Sequence, residues 1–225
     1  SSHTSKGSFA ERIGFKTKSG RKNKKGAQAG IVAKPAPIAA RLAAHEAAIA
    51  AATKDQDAVE MPKMTQKEMC KWTLDHLVSK EDPNKYYEVD ESRVLGKGGF
   101  GAVYWGFDKE TQAPVAVKKM TINKRNKMEY LLIETELHAK SSHHPNIVTF
   151  LDAFLVKELN EFWVVSEFID GCTLESMLSL VGWKEPEMAH VAKAVTNAVV
   201  YIHHGQRLHR DLKLGNVLIG PGGTV

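Results

Sequence analysis

The feature that most constrains how this chain can fold is Gly96-Lys97-Gly98-Gly99-Phe100-Gly101-Ala102-Val103, a G-x-G-x-x-G-x-V run with strand-like sequence on both sides. Tyr86 to Leu95 before it and Ala102 to Phe107 after it are rich in Val, Tyr, Phe and Trp, which puts the glycines at the turn of an antiparallel hairpin. A dinucleotide-binding Rossmann turn would open a helix after its last glycine; none follows here, so that fold is disfavoured. In a hairpin, Gly96, Gly98 and Gly101 let the backbone come close to phosphate oxygens and present N–H groups to them, while Val103 is placed to cover an adenine ring. Taken alone the run is weak evidence, because an ordinary Gly-rich turn has the same composition.

The neighbouring segments build a lobe around that hairpin. Val115 to Met120 follows a Thr-Gln-Ala-Pro turn as a third strand, and its Val115-Ala116-Val117-Lys118 places one lysine on a β-branched strand. Alternation turns Lys118 inward, where an ammonium needs an anionic partner or a phosphate. Lys127 to Lys140 has helical composition, and Ile147 to Val156 and Phe162 to Phe168 read as two more strands. The expected fold class is α+β: a five-stranded antiparallel sheet with one helix, then a mainly helical second lobe. That second lobe begins after the Asp170-Gly171 break with a helix over Thr173 to Leu180. A longer helix starts at Pro186 and carries the apolar stripe Met188, Val191, Ala192, Val195, Val199 and Ile202.

A third motif decides between the readings of the first two. His209-Arg210-Asp211-Leu212-Lys213-Leu214-Gly215-Asn216 precedes the strand Val217-Leu218-Ile219. Asp211 is placed to orient a substrate hydroxyl and accept its proton, Lys213 to steady a transferred γ-phosphoryl charge, and Asn216 to ligate a magnesium ion. All three motifs in this order do not arise by chance, and with them the chain resembles the eukaryotic protein kinase family. Lys213 within Asp-Leu-Lys is the serine/threonine-type version. Lys63-Met64-Thr65 through Ser79, Asp82-Pro83-Asn84-Lys85-Tyr86-Tyr87, Pro145-Asn146-Ile147-Val148, Leu151-Asp152 and Phe162-Trp163-Val164-Val165 are similar to PAK-type kinases, the small-GTPase-activated branch of the sterile-twenty-like group.

The resemblance implies a kinase-like fold, ATP and Mg2+ as cofactors, and protein Ser or Thr hydroxyls as substrates. It implies Leu95, Val103, Ala116 and Leu218 around adenine, hinge contacts from the Glu167 carbonyl and the Ile169 N–H, and Ser166 at the gatekeeper position. It assigns Arg210 to a phosphorylated activation loop and Lys118 to a salt bridge with a helix glutamate. A gapless match sets Thr135 at the glutamate position, between Glu134 and Glu136; Glu136 is preferred because an apolar residue, Leu137, follows it. A Rho-family GTPase partner is implied by the family only, since Phe9 to Phe15 is no more than a faint echo of a GTPase-binding motif. No Asp-Phe-Gly occurs; the expectation is an incomplete record of a longer kinase that transfers no phosphate in this form. The competing expectation is a non-catalytic module that binds nucleotide or a partner.

Charge divides the chain in the same place. Residues 1–60 carry 11 Lys and Arg against 5 Asp and Glu, the remainder 20 against 21. Lys16, Lys18, Arg21, Lys22, Lys24 and Lys25 fall among Gly, Ser, Thr and Asn, a composition that repels itself and packs nothing. Residues 1–34 are therefore expected to be disordered, as a solvated tail or as a contact for an anionic membrane surface through residues 16–25. No aromatic interleaving favours nucleic acid. Ile38 to Thr53 is Ala-rich and reads as a linker helix. The expected layout is a leader over 1–61, a lead-in helix within 62–85, the sheet lobe and hinge over 86–169, and part of the second lobe over 170–225. Cys70 and Cys172 make no disulfide framework or paired metal motif, and no run is apolar enough to span a bilayer or serve as a signal peptide. A cytoplasmic, membrane-associated location is the corresponding expectation.

Overall fold

The computed structural model describes residues 65–124, 127–180 and 182–225, and the expectations for the leader and the linker helix lie outside them. These residues form two units that divide between Phe168 and Ile169.

The first unit opens with helix α1 (Gln66–His76). Thr65 caps it reciprocally: its hydroxyl accepts the Glu68 N–H, and the Glu68 carboxylate accepts the Thr65 N–H at 2.8 Å. The helix stops at His76, and Leu77 and Val78 turn into the core instead of continuing it. Val78–Ser79 forms strand β1, parallel to Phe150–Val156. The sheet therefore has six strands, one more than the sequence suggests, because a two-residue strand shows no alternation and takes its order from its neighbour. The other strands are β2 (Tyr87–Gly98), β3 (Gly101–Asp108), β4 (Pro114–Thr121), β5 (Phe150–Val156) and β6 (Glu161–Glu167), in the order β1-β5-β6-β4-β3-β2. Helix α2 (Met128–Ser141) lies between β4 and β5 in the chain.

Strand alternation gives the sheet two apolar faces. Val115 and Val117 of β4 pack with Tyr87, Phe154, Trp163 and Val165 on one face; Met120 packs with Leu131, Leu132 and Phe162 on the other, under α2. Ala116 and Lys118 share the α2 face by the same period of two. Cys70 and the half-buried Trp72 and Leu74 of α1 extend that second core, so α1 packs onto α2.

The β2–β3 hairpin turns at Gly99-Phe100, with Gly98 opposite Gly101. Gly101 has φ +150°, and a Cβ there would lie 2.1 Å from the Lys119 carbonyl oxygen on β4. The third glycine of the motif is thus required by close approach of the neighbouring strand, whereas a Cβ at Gly98 would meet nothing within 4 Å. Gly101→Ala is expected to lower stability by about 1–3 kcal/mol, and Gly98→Ala to melt close to wild type; thermal unfolding of the two variants side by side checks the contrast.

The second unit holds β7 (Cys172–Thr173), α3 (Leu174–Leu178), α4 (Glu185–His204) and β8 (Leu218–Ile219), with β7 and β8 antiparallel. Thr173 caps α3 by accepting the Ser176 N–H. Pro186 sits in the first turn of α4. The buried stripe of α4 is Val191, Ala194, Ala198 and Ile202, rotated from the expected one: Met188 and Ala192 face outward. Val191 and the half-buried Val195 join Leu174, Met177 and Ile219 in one cluster, so the apolar spacing marks only part of the buried face.

Candidate active site

Two groups of side chains carry the expected chemistry, one in each unit. In the first, β4 and α2 bring Lys118 and Glu134 together, Nζ to Oε1 at 2.7 Å. Glu136 does not reach Lys118. Two residues along a helix is a rotation of about 200°, and Glu136 is buried on the α1 side, paired with Lys140, whose ammonium sits 5.3 Å from the centre of the Trp72 ring. Thr135, where the gapless match lands, is buried and donates its hydroxyl to the Leu131 carbonyl at 2.7 Å.

The Lys118–Glu134 pair is 34% and 60% exposed, so its contribution to stability is below about 1 kcal/mol. Its value is positional. It borders a cavity of about 240 Å³ lined by Val103, Ala116, Lys118, Glu134, Thr135, His138, Val164 and Ser166. Val103 lies opposite Lys118, and Ala116 opposite Ser166, in the strand register, so two of the expected adenine-site residues and the residue expected at the gatekeeper position meet around one space. Leu95, on β2, is 41% exposed, and Leu218 lies on β8 in the second unit. At the end of β6, Glu167 is held by its own N–H to the Thr149 carbonyl and by its carboxylate to the Thr149 N–H, which leaves its carbonyl outside these bonds; Ile169 begins the second unit. His138 is a residue the sequence reading missed; its four-residue spacing from Glu134 was the available signal.

Ser166 leaves that cavity open where a larger side chain would close it. Ser166→Met is expected to weaken a ligand that places an apolar group there by one to a few kcal/mol, roughly the burial energy of one such group. Titration of both forms with a bulky adenine analogue checks this; equal affinity contradicts it.

In the second unit Asp211, Lys213 and Asn216 come together. Arg210 has φ +64°, a left-handed conformation rare for a side chain of this size. Beyond it, the Lys213 ammonium contacts both Asp211 carboxylate oxygens at 3.0 and 3.2 Å. Asn216 donates from Nδ2 to the Asp211 main-chain oxygen at 2.7 Å and to its carboxylate at 3.0 Å. The Lys213 ammonium and the Asn216 amide hold the Asp211 carboxyl below the usual carboxylate range, so it is ionised at neutral pH. All three side chains are solvent-exposed, free to meet a substrate.

The nucleotide and the metal fare differently. The open space at Gly96, Gly98 and Gly99 leaves hairpin backbone accessible to phosphate oxygens, and Lys118 supplies a cation in the same unit; these residues fit a nucleotide. For magnesium, Asn216 offers one neutral oxygen, and no three His, Cys, Asp or Glu side chains converge among the described residues. A hard dication needs charged oxygens in near-octahedral array, so this donor set does not complete a site and no step below runs through the ion.

The protein kinase domain model matches residues 89–225. The chain is 37% identical over 156 residues to the serine/threonine-protein kinase pakC of Dictyostelium discoideum, covering 68% of this chain and 32% of that protein. It is 35% identical over 164 residues to serine/threonine-protein kinase PAK 1 of Mus musculus, 73% and 29%, and 34% identical over 167 residues to PAK mbt of Drosophila melanogaster, 73% and 25%. The chain spans about a third or less of the length of these relatives. A glycine hairpin, a strand lysine bridged to a helix glutamate and an Asp-x-Lys-x-x-Asn loop thus sit inside the matched stretch, and the chain belongs to the protein kinase domain family, with PAK-type serine/threonine kinases among its relatives.

Proposed function

We propose that this chain is the nucleotide-holding and catalytic-loop part of a PAK-like serine/threonine protein kinase, one that moves the γ-phosphoryl group of ATP to a protein Ser or Thr hydroxyl. The observation that carries the reading is the Asp211–Lys213–Asn216 cluster, an ionised carboxylate held by one cation and one amide and open to solvent. Asp211 accepts a hydrogen bond from the incoming hydroxyl and takes its proton as the oxygen bonds to the γ-phosphorus; the bond from that phosphorus to the bridging oxygen breaks and ADP leaves. Lys213 offsets negative charge building on the transferred group, and Lys118, fixed by Glu134, offsets charge on the phosphates left behind.

Protein substrates follow from that chemistry. A Rho-family GTPase partner is proposed from the resemblance of the sequence to PAK-type kinases alone, and an anionic membrane contact from the basic run over residues 16–25 alone. Incubating the full-length protein with γ-labelled ATP and a generic basic protein, followed by phosphoamino-acid analysis, tests the proposal: phosphoserine or phosphothreonine is expected. Nucleotide binding without transfer would favour a non-catalytic module instead.

A further inference from the structure

His138 lies one helical turn beyond Glu134 on α2 and lines the same cavity as Lys118. Its Nε2 is 2.9 Å from the Val148 carbonyl oxygen, so that nitrogen carries the proton and donates it. The ring edge rests on Phe150, with centroids 5.4 Å apart. One side of the imidazole is thereby fixed to the strand segment before β5, and the other side belongs to the cavity wall. A neutral imidazole there leaves Glu134 with a single cationic partner, Lys118. A charged one would offer Glu134 a second cation at i, i+4 on its own helix, the spacing at which helical ion pairs form.

We infer that His138 is a positioning residue for the Lys118–Glu134 pair, holding Glu134 on Lys118 while its ring is neutral and drawing Glu134 away when the ring is protonated. The inference rests on the proposed nucleotide role of Lys118. The charged and titratable groups that bear on the ring are Glu134 on its own helix, Lys118 on β4 and Glu167 at the end of β6. Burial pushes the imidazole below its ordinary value, with the Val148 carbonyl and the two glutamates acting in the opposite direction. The ring is therefore neutral near pH 7 and charges only under acid conditions. The sign for stability follows: the unfolded imidazole binds its proton more readily, so stability is fully present above its ordinary value of about 6.5 and falls as pH drops from there toward the folded-state value.

The four-residue spacing from Glu134 is by itself a weak signal, because a lone histidine on a helix is most often an ordinary surface or core residue. What singles it out is a shared cavity with both members of an ion pair and a hydrogen bond that fixes which nitrogen faces away.

The test follows the Glu134 δ-carboxyl carbon, the Lys118 ζ-nitrogen and the His138 ring by NMR in the full chain, from about pH 7.5 downward until the His138 ring itself has charged. His138→Gln is the conservative variant, since its amide can still donate to the Val148 carbonyl but does not titrate. Glu134→Gln serves as the variant whose pair is already broken. In wild type, the Glu134 and Lys118 resonances are expected to shift with the midpoint of the His138 ring; in His138→Gln they should stay flat. Identical pH curves for those two resonances in wild type and His138→Gln would overturn the inference.

Affinity for a fluorescent ATP analogue supplies the functional readout. In wild type it is expected to fall about tenfold across that range, the equivalent of one pKa unit of interaction, beyond any fall seen in His138→Gln. In Glu134→Gln, affinity should be low throughout and track His138→Gln in its pH dependence; retention of the wild-type acid limb there would also overturn the inference, because His138 would then act without Glu134. Coupled NMR shifts in a chain that binds no nucleotide at pH 7.5 would support the positioning role and contradict the proposed function.

Discussion

Asp211→Asn in the full-length protein is expected to lower phosphate transfer by about 10²- to 10⁴-fold, the usual contribution of a positioned general base. Asparagine keeps the shape and can still meet Lys213 and Asn216, so the loop should fold as before; what it loses is the acceptor for the hydroxyl proton. Affinity for ATP should change little, because in the proposed reaction Asp211 acts on the attacking hydroxyl and its effect is realised in the transition state. Rate and nucleotide affinity measured on the same preparation separate these two. Parallel loss of both would mean that Asp211 holds the loop together instead of serving the reaction.

The second large effect distinguishes two glutamates two residues apart. Glu134→Gln should reduce transfer by about 10²-fold through misplacement of Lys118, with little change in unfolding temperature, since the pair is exposed enough to add little stability. Glu136→Gln should do the reverse. It leaves Lys140 without its charge partner in the α1–α2 contact, which is expected to lower stability by about 1–3 kcal/mol and leave the rate near wild type. Steady-state kinetics and thermal unfolding of the two variants would be read together; a rate defect confined to Glu136→Gln would restore that residue as the partner of Lys118.

That pair also shows where sequence reading runs out. The hairpin, the strand lysine and the Asp-x-Lys-x-x-Asn loop were legible because each depends on fixed local spacing, and such spacing survives without knowledge of the fold. The helix glutamate depends on rotation about the α2 axis. One residue turns a side chain by about 100°, and only the packing of α1 on one side and β4 on the other decides which of three consecutive positions faces Lys118. Helix α4 repeats the point: its apolar residues cover more than half a turn, and Ala194 and Ala198 are buried where Met188 and Ala192 had been expected. Strand β1 was invisible for a different reason, since two residues cannot carry a period and its order comes from pairing with Ala153 and Phe154, far along the chain. His138 went unnoticed because its neighbours come from β4, β6 and the segment before β5, and no local pattern joins them.

The placement of Lys118 is the claim on which the nucleotide reading depends, and one measurement addresses it directly. An acyl-phosphate derivative of ATP transfers its acyl group to a lysine amine held against the bound phosphates, and peptide mapping then identifies the lysine. Treating the full chain with this reagent should modify Lys118 in preference to the adjacent Lys119, which is paired with Glu91 at 2.7 Å and sits 3.8 Å from the centre of the Trp163 ring. Excess ATP should protect Lys118, and Glu134→Gln should reduce its labelling. Labelling of Lys119 or of scattered surface lysines with no protection by ATP would contradict a nucleotide site at the hairpin and β4.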